Sequence, residues 1–213
     1  MTSASPDSYH HGNLRDALVS AALGALEQDG PEALALRGLA RTVGVSPTAV
    51  YRHFANKDDL MAAIATEGFE GLSAEMTRRL TQEPDADALR RLMILGEGYS
   101  SYAMTHPAHY RLMFGKRMIN KDDYPVLASA AAHSYGMLEQ AVAEAVQAGQ
   151  LPGVPVPLLS TMAWSLIHGL STLHNDGMLT NPDLPQGPAL GETLTRMLAL
   201  SLRQIPDFAT GKE

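Results

Sequence analysis

Residues Leu36 to Leu60 read Leu-Arg-Gly-Leu-Ala-Arg-Thr-Val-Gly-Val-Ser-Pro-Thr-Ala-Val-Tyr-Arg-His-Phe-Ala-Asn-Lys-Asp-Asp-Leu. The apolar spacing predicts a short helix ending at Val43, a tight turn at Gly44-Val45, and a second helix opened by Ser46. The Ser46 hydroxyl can accept from a free amide of the first turn. Pro47 has no amide hydrogen to leave unsatisfied at the first helical position. Two short helices joined by a glycine-bearing turn form a helix-turn-helix, whose second helix can enter a DNA major groove.

On a 3.6-residue period Val50 and Phe54 share a face and are expected to pack on Leu36, Leu39 and Val43. Pro47, Thr48, Ala49, Tyr51, Arg52 and His53 are left for the outer surface. Thr48 and Ala49 are short and suit a thymine methyl. Tyr51, Arg52 and His53 offer donors to phosphate. Asn56 caps the next helix, so Lys57 and that helix start would both face a phosphate favourably. An ordinary helical hairpin with a solvated polar face fits the periodicity equally well.

The run from Leu39 to Leu60 resembles the DNA-binding signature of TetR-family transcriptional repressors. The match spans roughly Tyr9 to Met61, with Gly44-Val45, Tyr51, His53-Phe54, Lys57 and Leu60 in register. The resemblance implies groove contacts from Pro47, Thr48 and Ala49, with Ser46 opening the reading helix. It implies phosphate contacts from Arg37, Tyr51, His53 and Lys57, while Arg52 sits at a variable position of the pattern. Leu36 departs from the pattern, because such proteins often place a Thr or Ser there.

The chain has 213 residues, 45% of them hydrophobic, which suits a folded core domain plus a smaller unit. No run of about 18 apolar residues exists, so no membrane span is expected. The first residues lack the basic start and apolar core of a secretory signal, and the cytoplasm is the expected location. With no cysteine, disulfides and thiol chemistry are excluded. A net charge of −7 argues against a general nucleic-acid coat protein. Residues 1–60 hold five Lys or Arg and seven Asp or Glu. The reading head is therefore not basic overall, and few phosphate contacts per subunit are expected.

The plan that follows is all-α. Residues 1–8 read as a disordered tail, 9–55 as the helix-turn-helix domain, 56–80 as a connecting helix, and 81–213 as a helical ligand-binding and dimerisation domain. Asn13 is expected to cap the first helix, which Asp29-Gly30-Pro31 ends. Beyond the break at Glu83-Pro84-Asp85, helices are expected near 86–105, 107–119, 124–149, 155–176 and 187–204.

Trp164-Ser-Leu-Ile-His168-Gly169, with His106-Pro107-Ala108-His109-Tyr110-Arg111-Leu112-Met113-Phe114 before it, resembles the C-terminal domain of the family's Trp-His-Gly subgroup. Tyr9 to Arg15 is also common there. Family likeness implies a homodimer through helices near 155–176 and 187–204. Leu158, Met162, Ser165, Gly169 and Thr172 lie along one face of the first. Leu190, Leu194, Met197, Leu198, Ser201 and Leu202 form an apolar stripe on the second.

Met93, Met104, Met113, Met118, Met137 and Met162, with Tyr99, Tyr102, Phe114 and Tyr135, spread soft and aromatic side chains over several helices. They read either as plain core or as an adaptable cavity for a small, mainly apolar effector. Trp164 and His168 sit one turn apart, His168 as a hydrogen-bonded core imidazole or as a donor to a ligand. Tyr99, Tyr135 and His168 are the candidate polar groups of such a cavity. His106 and His109 at i, i+3 and the pair His10-His11 lack carboxylate or thiolate partners, so no metal and no cofactor are expected. Phosphate loops, nucleophile elbows and zinc-protease motifs are absent, which leaves no enzymatic reading. The expectation is a repressor binding a palindromic double-stranded DNA operator and released by a small molecule. An activator, an effector-independent regulator, or a helical ligand-binding protein without DNA activity are the rivals.

Overall fold

Gly44 makes the turn between the two helices of the helix-turn-helix possible. Its φ of 76° lies in the left-handed region that disfavours a Cβ. Bonds from Gly44 N–H to Arg41 O (3.2 Å) and from Val45 N–H to Ala40 O (2.9 Å) close the end of α2, Leu36–Val43. Two residues later Ser46 accepts from Ala49 N–H at 3.3 Å, and Pro47 begins α3, Pro47–Tyr51. The second helix is thus only five residues long.

The computed structural model describes residues 11–30, 34–115, 120 and 123–205, apart from the side chains of 11–13 and 29. The proposed tail at 1–8, the His10 half of the His10-His11 pair, and Met118 lie outside them. The described residues form nine helices and no strand. Helix α1 spans His11–Asp29, so Asn13 falls in its first turn and not at its cap. Helix ends shift readily by a residue or two because the terminal turn is held by few bonds. Leu18, Ala22 and Leu26 of α1, Leu36 and Leu39 of α2, Val50 of α3 and Phe54 beyond it are all buried in one small core. Truncating a fully buried member such as Leu18 removes methylenes and leaves a void, a cost of about 2–5 kcal/mol.

Helix α4, Lys57–Gln82, leaves this head and runs about 39 Å into the body. Asn56 Oδ1 caps it by accepting from Asp59 N–H at 2.8 Å, and Asp59 Oδ2 accepts in return from Ala55 N–H at 3.1 Å. This reciprocal pair satisfies two donors and fixes where the helix starts. The body comprises α5 (Ala88–Thr105), α6 (Pro107–Phe114), α7 (Pro125–Gln147), α8 (Val156–Asn175) and α9 (Pro188–Leu202). Helix α5 is its centre, packed by α4, α7, α8 and α9. Small residues set the closeness of these crossings. A Cβ at Gly68 would meet Met113 at 2.7 Å, and one at Gly191 would meet Ser100.

Candidate functional site

Two features of this fold present chemistry to a partner: the outer surface of α2 and α3, and a cavity in the body. On the first, Ser46, Pro47, Thr48, Tyr51, Arg52 and Arg37 are exposed, while Ala49, His53 and Lys57 are partly exposed. None of the nine is buried. Val50 and Phe54 turn inward and hold α3 on the head core, so the helix's other face is the one left to solvent. Arg15 lies 5.6 Å over the Phe54 ring and also bonds Glu67 at 2.9 Å, linking α1 to both the reading unit and α4. A second tie comes from the body: Tyr124, just before α7, donates to Asp59 Oδ1 at 3.0 Å. Burial, and then that hydrogen bond, push the Tyr124 hydroxyl up to about 12, so it remains a donor at neutral pH.

The body holds a cavity of about 520 Å³, within the size range that takes a drug-sized molecule. Phe69, Leu72 and Met76 of α4 form one wall, and Met93, Gly96 and Tyr99 of α5 another. Met113 and Phe114 of α6, with Ala128, Ala131, Ala132 and Tyr135 of α7, add a third. Trp164, Ile167 and His168 of α8 and Thr195 and Leu198 of α9 close it.

Of the ten effector residues expected from sequence, seven line this space: Met93, Tyr99, Met113, Phe114, Tyr135, Trp164 and His168. Two do not. Tyr102 is buried against α4, its ring at Gly71 and stacked on His106 at 4.3 Å between centroids. Met162 is 45% exposed, because the inward face of α8 is carried by Ala163, Ile167 and Leu170. The third, Met118, lies outside the described residues. On α9, likewise, Leu190 and Leu202 are buried and Leu198 faces the cavity, so only Met197 and Leu200 are exposed among its large apolar residues.

His168 is surrounded by aromatic rings: Phe114 at 4.8 Å, Trp164 at 5.1 Å and Tyr110 at 5.4 Å between centroids. Its Nδ1 lies 2.8 Å from the Tyr99 hydroxyl and 2.9 Å from that of Tyr110. Tyr110 also donates to the His168 carbonyl at 3.0 Å and meets Thr172 Oγ1 at 3.0 Å. Where Tyr99 donates to Nδ1, the ring's own proton sits on Nε2. Tyr110 is a residue that sequence reading missed. Its place four residues before Phe114 on the same helix face was the available signal.

Burial lowers the pKa of His168 below its ordinary 6.5, and burial followed by the nearby His106 does the same for His109. The unfolded chain therefore takes up these protons first. The corresponding stability is complete above pH 6.5 and is lost as pH falls through the folded values. Glu75 and Glu83, lowered from 4.5 chiefly by hydrogen bonds from Arg78 and Arg90, act only at lower pH. Thermal unfolding should show a constant melting temperature above pH 6.5 and a decline as pH falls below it. Combining His109→Gln with His168→Phe should flatten that decline. A wild-type profile flat across this window would contradict it.

Residues 18–64 match the family described as bacterial regulatory proteins of the tetR family. Residues 92–200, which include Trp164, His168 and Gly169, match the tetracyclin repressor-like C-terminal domain. Among curated relatives, an uncharacterised HTH-type transcriptional regulator of Mycobacterium tuberculosis is 24% identical over 169 residues, 79% of this chain and 73% of its own length. A solved protein of unknown function from Rhodococcus sp. RHA1 is 31% identical, with a TM-score of 0.78, covering 93% of this chain and all of that one. AibR, solved with isovaleryl coenzyme A and operator DNA, shares the fold at a TM-score of 0.66 and 16% identity, with 86% of this chain and 96% of that one covered. An exposed helix-turn-helix on a helical body, with both halves matched by their own family models, leads to one assignment. The chain belongs to the TetR family of transcriptional regulators and is not an enzyme.

Proposed function

We propose that the protein is a homodimeric transcriptional repressor that binds a palindromic operator and leaves it when a small molecule fills the body cavity. One observation carries this reading: a single continuous helix serves both features. Helix α4 starts at Lys57 beside the reading unit and supplies Phe69, Leu72 and Met76 to the cavity wall. Lys57 and Phe69 are about 18 Å apart along it. A ligand that pushes on that wall can tilt the helix as a rod and move the head with it.

The tie from Tyr124 to Asp59 joins the head to α7, which also lines the cavity. In this scheme Arg37, Ser46, Pro47, Thr48, Ala49, Tyr51, Arg52, His53 and Lys57 meet the duplex. Two heads fit successive major grooves roughly 34–36 Å apart. The ligand must favour the state that does not bind DNA, and operator must weaken ligand by the same factor.

A gel shift with DNA from upstream of the protein's own gene is expected to give a specific complex. With three cations per head (Arg37, Arg52 and Lys57) and so six per dimer, log affinity should fall with log salt at a slope of about −5. Absence of any specific complex, or affinity indifferent to salt, would overturn the reading.

A further inference from the structure

We propose that the body cavity takes a neutral, largely apolar molecule bearing a hydrogen-bond acceptor such as a ketone, and that His168 Nε2–H donates to that acceptor. This rests on reading the cavity as the effector site and goes beyond it by naming the ligand's chemistry.

The first support is charge. No Lys, Arg, Asp or Glu is among the residues lining the space. A carboxylate, a phosphate or an ammonium ion would therefore give up its hydration for a wall with no opposite charge, at a cost of several kcal/mol. The second support is how most of the wall's polar groups are already used, although Thr195 Oγ1 is buried there without a partner among the described residues. Ser134 meets Ser73 at 2.6 Å and donates to the Phe69 carbonyl at 3.1 Å. The Tyr99 hydroxyl lies 2.8 Å from His168 Nδ1 and, in the proposed tautomer, donates to it. In that tautomer the imidazole proton is on Nε2, which has no protein partner among the described residues. Aromatic rings pack around the imidazole and hold its orientation.

The imidazole is neutral at neutral pH, since burial lowers its pKa. It therefore offers a directed donor without a charge. That matches a carbonyl oxygen better than an anion, which gains most from a charged partner. An acyl-coenzyme A is a poor fit on the same grounds, because its phosphates find no cation here. The ring cluster could attract a cation, but the Nε2–H dipole and the lack of any acidic side chain oppose one.

The chain's single tryptophan lines the cavity, so its fluorescence reports occupancy directly. Full-length protein is titrated with four compounds that share a ten-carbon scale of tail and differ at the head: 2-undecanone, decanoate, decanoyl-coenzyme A and decyltrimethylammonium. The ketone should change Trp164 emission with a Kd at least about tenfold below each charged compound. His168→Phe keeps a ring and removes the donor, and should weaken the ketone about tenfold. His168→Gln restores a donor and should recover part of the loss.

A charged compound binding as tightly as the ketone overturns the assignment. So does binding by none of the four, or ketone affinity unchanged in His168→Phe. If that variant does not fold, the head-group order in the wild type decides alone. Operator binding followed in the same samples separates the two readings. Ketone binding without operator release overturns the release mechanism and leaves the ligand class standing. Release driven by a charged compound does the reverse.

Discussion

Tyr51→Ala is expected to weaken operator binding by roughly 100-fold while leaving the fold intact. In the proposed complex the hydroxyl is offered to a phosphate, and a hydrogen bond to a charged group is worth about 1.5 kcal/mol or more. A dimer loses it twice, so about 3 kcal/mol disappears from one binding event. Stability should change by no more than about 0.5 kcal/mol, because the ring is 46% exposed and fills no core space.

Lys57→Ala provides the matched electrostatic control. It should lower affinity to a similar degree and also flatten the salt dependence by about two units, one per subunit. Tyr51→Ala carries no charge change and should leave that slope alone. Fluorescence anisotropy of labelled operator at four or five salt concentrations reads both quantities. Wild-type affinity in both variants would remove the DNA-facing assignment of α3 and of the α4 start.

The contrast between these two regions shows what one chain of letters can and cannot reveal. Ser46, Pro47 and Gly44 act within a few residues of themselves: a hydroxyl on a nearby amide, a missing N–H, a positive φ. Asn56 is the same kind of signal, so the reading unit and the start of α4 were legible from sequence. The cavity is not a local property. It exists partly because Ala128, Ala131 and Ala132 are small, and a run of alanines reads as good helix former rather than as empty space.

Tyr99 and Tyr102 lie only three residues apart on α5, yet one faces the cavity and the other fills the gap over Gly71. Which tyrosine goes where depends on where α4 crosses, and that depends on glycines from another part of the chain. Tyr110 completes the His168 network from a third helix, so the network emerges only once α5, α6 and α8 are packed. Helix α8 posed a different problem. It is apolar on two faces, and periodicity cannot say which one looks inward.

That second face supports the remaining large expectation: a double substitution, Met162→Glu with Leu166→Glu, should convert the protein to a monomer. Leu158, Met162, Leu166 and Leu173 project outward along α8, joined on α9 by Met197 and Leu200. Ser165 is exposed between them, and at Gly169 nothing lies within 4 Å of an added Cβ, so another helix could approach closely. Large apolar side chains exposed together along one face mark a docking face. In the proposed homodimer a second copy of the same two helices covers it, since a two-fold axis pairs each stripe with itself.

The two substitutions put four like charges into that apolar seam, with no partner to offset their desolvation. Light scattering should then report half the wild-type mass. Operator affinity should fall by at least about 100-fold, because each head must then bind its half-site alone and the gain from linkage is lost. The Trp164 fluorescence response to ligand should persist, since neither side chain lines the cavity. A variant that stays dimeric but no longer binds ligand would instead place Met162 in the pocket and the dimer seam elsewhere.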